Sequence, residues 1–318
     1  MSDFSYEPAR ESTFYFIGMS TSKSSIMRVF PAWAEYLGLD ARIQGIDCKW
    51  HDDPEVYRKV VGFIKEDRLS LGALITTHKI DLLKAARDLF DDLGPYARRL
   101  GEVSCILKRD GRLWGHAMDP ISSGLAMQAF VPRDHFKRTG GELCIFGAGG
   151  SSLALTTYIM ENRDAVRPPK RIIVTNRSLP RIGEMKRIHQ EINPGIQVDY
   201  IHAPNSEEND AVMQTLKSGS VVVNATGLGK DAPGSPITDS APWANVGKAW
   251  DFNYRGDLVF LDQARNQQRA RRLHIEDGWT YFIHGWTRAI AEVFHIDIPT
   301  SGPVFDEISR IAADKRKI

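Results

Sequence analysis

A lysine directly after an apolar run, Lys79 in LITTHKIDLL, and an aspartate closing another, Asp119 in GHAMDP, stand forty residues apart in the chain. Open α/β sheets bind ligands at the carboxyl ends of their strands, so each has the placement of a site residue. Brought together, an ammonium and a carboxylate hold each other in useful protonation states and form a relay that carries a proton to or from a substrate oxygen. Kept apart, they are two unrelated surface charges. Ser22 and Ser24, in STSKSSIM, follow another apolar run at the start of a helical period. Serine at such a place is a helix N-cap or a hydrogen-bond donor to a polar ligand.

The second constellation is CIFGAGGSSLALTTYIM, in which Gly147, Ala148, Gly149, Gly150 and Ser151 join an apolar strand to a helix. Without a Cβ the backbone can approach a pyrophosphate, and the free N–H groups of the helix start meet its charge. The same glycines would serve a plain tight turn, and Ser152 stands where a dinucleotide fingerprint has a third Gly or Ala. The next strand separates the readings. In NAD-binding folds an acid roughly 20 residues beyond the glycines holds the ribose 2′-hydroxyl. Here the segment is RIIVTNRSLPR, which contains no acid. Asn176, Arg177, Ser178 and Arg181 offer donors and positive charge instead, which suit a 2′-phosphate and therefore NADP over NAD. The alternative is a solvated helix start, although basic groups oppose the helix dipole at that end.

These residues need elements to place them. Between residues 12 and 78 short apolar runs alternate with segments of helical period, a βαβαβ rhythm that implies a mostly parallel sheet. EVSCILKRDGRLWGHAM reads as a hairpin turning at Asp-Gly, and a helix is expected from about Pro120 to Phe130. The polar stretch VPRDHFKRTGGE, residues 131–142, is the expected domain boundary. A second alternation runs from LCIFGAGG through RIIVTNRS, IQVDYIHA and SVVVNATG to KAWDFNY, a doubly wound pattern, and two helices close the chain. The expected class is α/β, with a substrate-binding catalytic domain over residues 1–132, completed by C-terminal helices over 285–318, and a Rossmann domain over 133–284.

Composition excludes several classes. The 318 residues carry 41 basic and 40 acidic side chains, for a net charge of +1, so the chain has no bulk electrostatic reason to seek nucleic acid or a membrane. Three widely spaced cysteines give neither a disulfide framework nor a zinc pattern; buried free thiols and no metal are expected. The N-terminus is polar and acidic where a signal peptide is basic and then apolar, and no run of 18 apolar residues occurs, which points to the cytoplasm. The expected partner is a small-molecule substrate, with a homodimer as the candidate assembly.

Taken in order, the segments resemble the shikimate dehydrogenase family nearly end to end. SKSS is similar to the family's S-x-S-P substrate loop, THK to the end of its N-V-T-x-P-x-K, and LGEVSCILKRDGRLWGHAMD to its iGAvNT and DGxLxGxNTD motifs. GAGGSS, TNRS, NATGLG and DFNY are similar to GAGGA[AS], xNR[TS], NATxxG and DxxY. The resemblance implies a cleft between a catalytic and an NADP-binding domain, with Lys79 and Asp119 as the proton-relaying pair while hydride passes between substrate and nicotinamide. It places Ser22, Ser24, Thr76, Ser104, Tyr254 and Glu292 at substrate positions. It places Gly147 to Ser151, Asn176 to Arg181, Thr226, Phe252 and Gly285 at cofactor positions.

The chain departs from the family where substrate is read. Ser104 and Ala117 replace two motif asparagines, and Ile75 aligns with a motif threonine for which Thr76 or Thr77 would substitute. In HGWTRAIAE, Arg288 replaces a methionine and Glu292 the substrate-binding glutamine. A carboxylate repels an anion and only accepts hydrogen bonds, so the expected substrate is a relative of shikimate, such as quinate or an amino or acyclic analogue. Two other readings are a ligand-sensing protein with weakened catalysis and a methylene-tetrahydrofolate dehydrogenase of similar architecture.

Overall fold

Apolar runs buried on both faces make central strands, while runs with one polar face make edges. The computed structural model, which describes residues 6–316, follows that rule in two sheets. The first contains β1 (Thr13–Gly18), β2 (Arg42–Asp47), β3 (Ser70–Ile75), β4 (Asp92–Leu93), β5 (Cys105–Arg109) and β6 (Arg112–His116). Their order is β2-β1-β3-β5-β6-β4; β1, β2 and β3 are parallel, and β5 runs antiparallel to both neighbours. Every residue of β1 is buried, whereas β2 at the edge is mostly not. The Asp110–Gly111 pair turns β5 into β6 with both residues at positive φ, 52° and 73°, as a two-residue hairpin requires.

The second sheet is entirely parallel: β7 (Leu143–Phe146), β8 (Arg171–Asn176), β9 (Gln197–His202), β10 (Val221–Asn224), β11 (Lys248–Asp251) and β12 (His274–Glu276), in the order β12-β11-β10-β7-β8-β9. With β7 as the first strand, this is the Rossmann order. The chain divides into two compact units, residues 6–118 with 283–316 and residues 119–282. The division falls at Met118/Asp119, not within residues 131–142, because the helix Asp119–Phe130 lies against the helix Gly150–Glu161. A Cβ at Gly124 would stand 2.1 Å from a ring carbon of Tyr158, so the two helices meet there at closest approach. Gln128 then donates to the Tyr158 hydroxyl at 2.7 Å.

The C-terminal helix Pro303–Arg316 is fastened to the first unit by Trp33, whose indole N–H donates 2.9 Å to the Ile308 carbonyl. Phe14 and Phe16 meet Trp286 edge-on on the same side of the sheet. Cys48, Cys105 and Cys144 are all buried and free. Among the described residues no helix is long and apolar enough to cross a membrane. The N-terminal residues 1–5, read above as too polar for a signal peptide, and residues 317–318 of the last helical segment and of the expected 285–318 span lie outside the described residues.

One buried polar chain ties the second unit together. His189, fully buried, exchanges hydrogen bonds with Thr156 at 2.8 Å and with the Tyr200 hydroxyl at 2.7 Å. Burial depresses its pKa to about 4 from 6.5. In that window the unfolded chain binds a proton the folded chain refuses, so the contribution is complete above pH 6.5 and lost as pH falls to 4. Asp251 opposes it: burial raises its pKa from 3.8 to about 6, so its protonation stabilises the folded state as pH falls through that range. Comparison with His189→Phe isolates the histidine. The stability advantage of the unmodified chain, from urea unfolding, should shrink by about 3 kcal/mol between pH 7 and pH 4. A constant difference would show that His189 carries no such linkage.

Candidate functional site

Strand register gathers one group of candidates at one end of the first sheet. β3 ends at Ile75, whose N–H donates to the Ser104 carbonyl at 2.8 Å, while Ser104 N–H donates to the His116 carbonyl at 2.9 Å. The carboxyl ends of β3 and β6 and the start of β5 therefore meet there. Ile75 is fully buried, and the half-buried Thr76 takes the strand end, its N–H donating to the Ile17 carbonyl at 3.1 Å. Lys79 is the first residue of the helix Lys79–Ala86 and its carbonyl accepts from Val103 N–H at 3.2 Å, which ties its turn to the residue before Ser104.

Ser104 is buried and its hydroxyl oxygen accepts the Met118 N–H at 2.7 Å, leaving the O–H to donate elsewhere. The serine that replaces the motif asparagine thus anchors the residue that precedes Asp119. Asp119 opens the helix Asp119–Phe130 in the second unit, and its carbonyl accepts from the Ser123 hydroxyl at 2.7 Å. Ser22 lies exposed on the short turn Thr21–Lys23 and Ser24 half-buried at its end. Neither caps the next helix, whose N-cap position is Ser25 with no side-chain bond. The N-cap reading of Ser22 and Ser24 is therefore corrected: the extra residue needed to leave the short turn moves the cap to Ser25.

In the second unit the strand ends carry the other group. Gly147 closes β7 at φ 105°, and a Cβ there would lie 2.7 Å from the Ala225 carbonyl oxygen, so only glycine fits. Gly149 differs. It has extended backbone at the N-cap of the helix Gly150–Glu161, no side chain caps that helix, and nothing lies within 4 Å of where its Cβ would be. The strand-to-helix turn needs Gly147; the space over Gly149 is the cradle a phosphate group would occupy. Ala148 is buried beneath it, and Gly150 and Ser151 form the half-exposed first turn.

Asn176 ends β8 and its amide donates to the Ser178 carbonyl at 3.2 Å, shaping the turn that presents Arg177. The exposed Arg177 side chain makes no hydrogen bond or ion pair with the described residues, whereas Arg181 is paired with Glu184 at 3.3 Å. These residues fit a cofactor bearing a 2′-phosphate: an open glycine cradle, an uncapped helix start, an acid-free strand end and an uncommitted guanidinium.

Beyond β10 and β11 a buried amide-carboxylate cluster fixes the remaining loops. Asn224 donates to Asp251 at 3.0 Å and accepts from the Thr226 N–H and hydroxyl at 3.1 and 2.7 Å. Asp251 accepts the Asn253 N–H at 2.8 Å, and Asn253 donates to the Leu228 carbonyl at 3.2 Å. Exposed Thr226 and half-buried Phe252 are thereby held at neighbouring strand ends, with Phe252 N–H donating to the Asn224 carbonyl at 3.0 Å. Tyr254 packs its ring against Trp279 and Phe282. Gly285 is a half-exposed position of the helix Trp279–Phe294 with open space over its α-carbon.

Two histidines escaped the sequence reading. His78, beside Lys79, is buried and bonded to the Tyr57 hydroxyl at 3.1 Å, and burial lowers its pKa. His116 stands 3.9 Å from Glu292. Only adjacency to Lys79 could have flagged the first; nothing local flags the second, because its partner is distant in sequence.

The fold and these positions define a two-unit α/β protein whose second unit is of Rossmann type. No protein-family model matches the chain. Its sequence is similar to those of shikimate dehydrogenases over a little more than half its length. The shikimate dehydrogenase (NADP(+)) of Streptococcus thermophilus is 28% identical over 181 residues, which cover 56% of this chain and 58% of that protein. The chain thus spans little more than half the length of the curated relatives it matches. The solved structure of shikimate dehydrogenase from Aquifex aeolicus superposes with a TM-score of 0.72 at 18% identity, over 98% of this chain and 100% of the other. Quinate dehydrogenase from Corynebacterium glutamicum, solved in complex with NAD, gives 0.72 at 18% identity, over 96% and 99%. At these identities the structural likeness is one of fold.

Proposed function

We propose that the protein is an NADP-dependent oxidoreductase that interconverts a secondary alcohol and a ketone on a small polyhydroxylated, carboxylated substrate. The observation that carries this reading is the gathering of Thr76, Lys79 and Ser104 at one sheet end, in a chain whose glycine cradle and Arg177 fit a 2′-phosphorylated dinucleotide. When bound, the cofactor supplies the hydride acceptor or donor. Lys79 takes the hydroxyl proton of the alcohol or returns it to the ketone oxygen, with Asp119 setting its protonation. Ser22, Ser24, Thr76 and Tyr254 orient the substrate. The relatives named above are named as enzymes, and nothing among them favours the ligand-sensing reading.

The Streptococcus relative is named for NADP(+) and the Corynebacterium structure holds NAD, so cofactor choice is tested on this chain. Absorbance of reduced nicotinamide, followed with NADP+ or NAD+ and a panel of shikimate, quinate and related hydroxy acids, should show turnover with a preference for NADP+. Arg177→Gln should erase about 10- to 100-fold of that preference, the loss of one charge-assisted contact. Silence across the panel despite confirmed cofactor binding would sink the enzyme reading. Unchanged preference in the variant would sink the role of Arg177.

A further inference from the structure

The helix Trp279–Phe294 runs along β5, with the Cys105 thiol 4.0 Å from the Ala289 carbonyl and the His295 Nε2–H donating to the Lys108 carbonyl at 3.0 Å. Between those contacts, Glu292 faces His116 across 3.9 Å. His116 is the last residue of β6, paired with Cys105 in the hairpin and one backbone bond from Ser104, so the pair lies beside the residues gathered at the sheet end. The imidazole is seated on Gly94, where a Cβ would come within 3.2 Å of its ring. Both side chains are half-buried, and neither has a hydrogen-bond partner within the described residues. Arg288, one turn earlier, commits an N–H to the Ile298 carbonyl and makes no ion pair with Glu292.

Such a pair offers a ligand a defined chemistry. A carboxylate has only lone pairs to present, and an imidazole donating one N–H toward it presents a lone pair at its other nitrogen. The neighbouring groups are the buried Cys105 thiol, Arg109, which meets His295 at 3.2 Å, and Asp92, which is paired with Arg98. None of these gives the carboxylate a hydrogen-bond donor.

We infer that Glu292 and His116 form a specificity pair that takes a hydrogen bond from a hydroxyl or ammonium group of the substrate and rejects an ether, keto or carboxylate oxygen there. Glu292 touches the substrate, and His116 is the positioning residue that holds its carboxylate. This rests on the dehydrogenase reading of the same site.

The test compares two analogues of whichever panel acid is turned over, one with a ring hydroxyl replaced by an ammonium group and one with it replaced by a methoxy group, each ring position in turn. At one position the unmodified protein should prefer the ammonium analogue over the methoxy one by at least tenfold in kcat/KM. Glu292→Gln, whose amide can donate to an ether oxygen, should collapse that ratio through KM, and His116→Phe should lower it in the same direction. A general packing defect would depress both analogues equally and leave the ratio intact. An unchanged ratio in both variants overturns the pair. If the unmodified protein turns over no panel acid, the dehydrogenase reading fails separately, and thermal shift with the two analogues of shikimate decides. Stronger stabilisation by the ammonium analogue, lost in Glu292→Gln, supports the pair; equal shifts overturn it.

Discussion

Lys79→Met should lower kcat by about 10²- to 10⁴-fold, the range that a positioned proton donor or acceptor contributes, while the affinity for NADP is unchanged. The start of the helix does not by itself call for a lysine at this position. Lys79 is the first residue of a helix, where a cation opposes the dipole, and Asp81 already supplies the acid that favours that end. Its main-chain role, accepting the Val103 N–H through its carbonyl, survives any side-chain change. Methionine keeps the stem and its apolar contacts, so the thermal midpoint should move by only a few degrees. Lys79→Arg sharpens the test. Arginine keeps the charge but does not give up its proton near neutral pH. A purely electrostatic lysine would be rescued by it, while a proton-relaying one would not. Turnover within tenfold of the unmodified protein in Lys79→Met would remove the proposed mechanism.

The parts of this molecule written in local pattern were legible in the sequence. Runs such as TFYFIG and VVVN are mostly apolar and buried at every position because their strands are covered on both faces, and Asp110–Gly111 is a hairpin turn by residue type alone. The order of glycines, the acid-free TNRS and the lysine after a buried strand are short-range signals of the same kind. What escaped depends on residues that only the fold brings near each other. The boundary was expected in the Pro- and Gly-containing stretch 131–142, whereas the helix Asp119–Phe130 groups with the second unit, where Gly124 admits the Tyr158 ring from 34 positions away. Ser104 was read at a substrate position, and no local pattern announced that its oxygen also accepts the Met118 amide N–H. His189 looks like one polar residue in an ordinary amphipathic helix until Thr156 and Tyr200 close on both its nitrogens. A polar side chain in an apolar stretch says that a partner is required, not which one.

The two glycines of GAGGSS should separate, because the structure asks different things of them. Gly147→Ala should cost about 2–5 kcal/mol of stability, since it places a Cβ 2.7 Å from the Ala225 carbonyl oxygen on a backbone with φ 105° that alanine rarely adopts. Cofactor binding would fall with it as a consequence of the distorted loop. Gly149→Val has no such cost, because the backbone there is extended, at φ −86° and ψ −176°, and no atom stands within 4 Å of the new Cβ. Its stability should stay within about 1 kcal/mol of the unmodified chain. The valine would nonetheless fill the space over the helix start that a pyrophosphate needs, so the Kd for NADP measured by calorimetry should rise at least tenfold. If the glycines served only to turn the strand into the helix, Gly149→Val would change neither stability nor affinity, since the turn is already made at Gly147. Lost affinity with stability retained would instead mean that Gly149 is kept small for a ligand outside the chain.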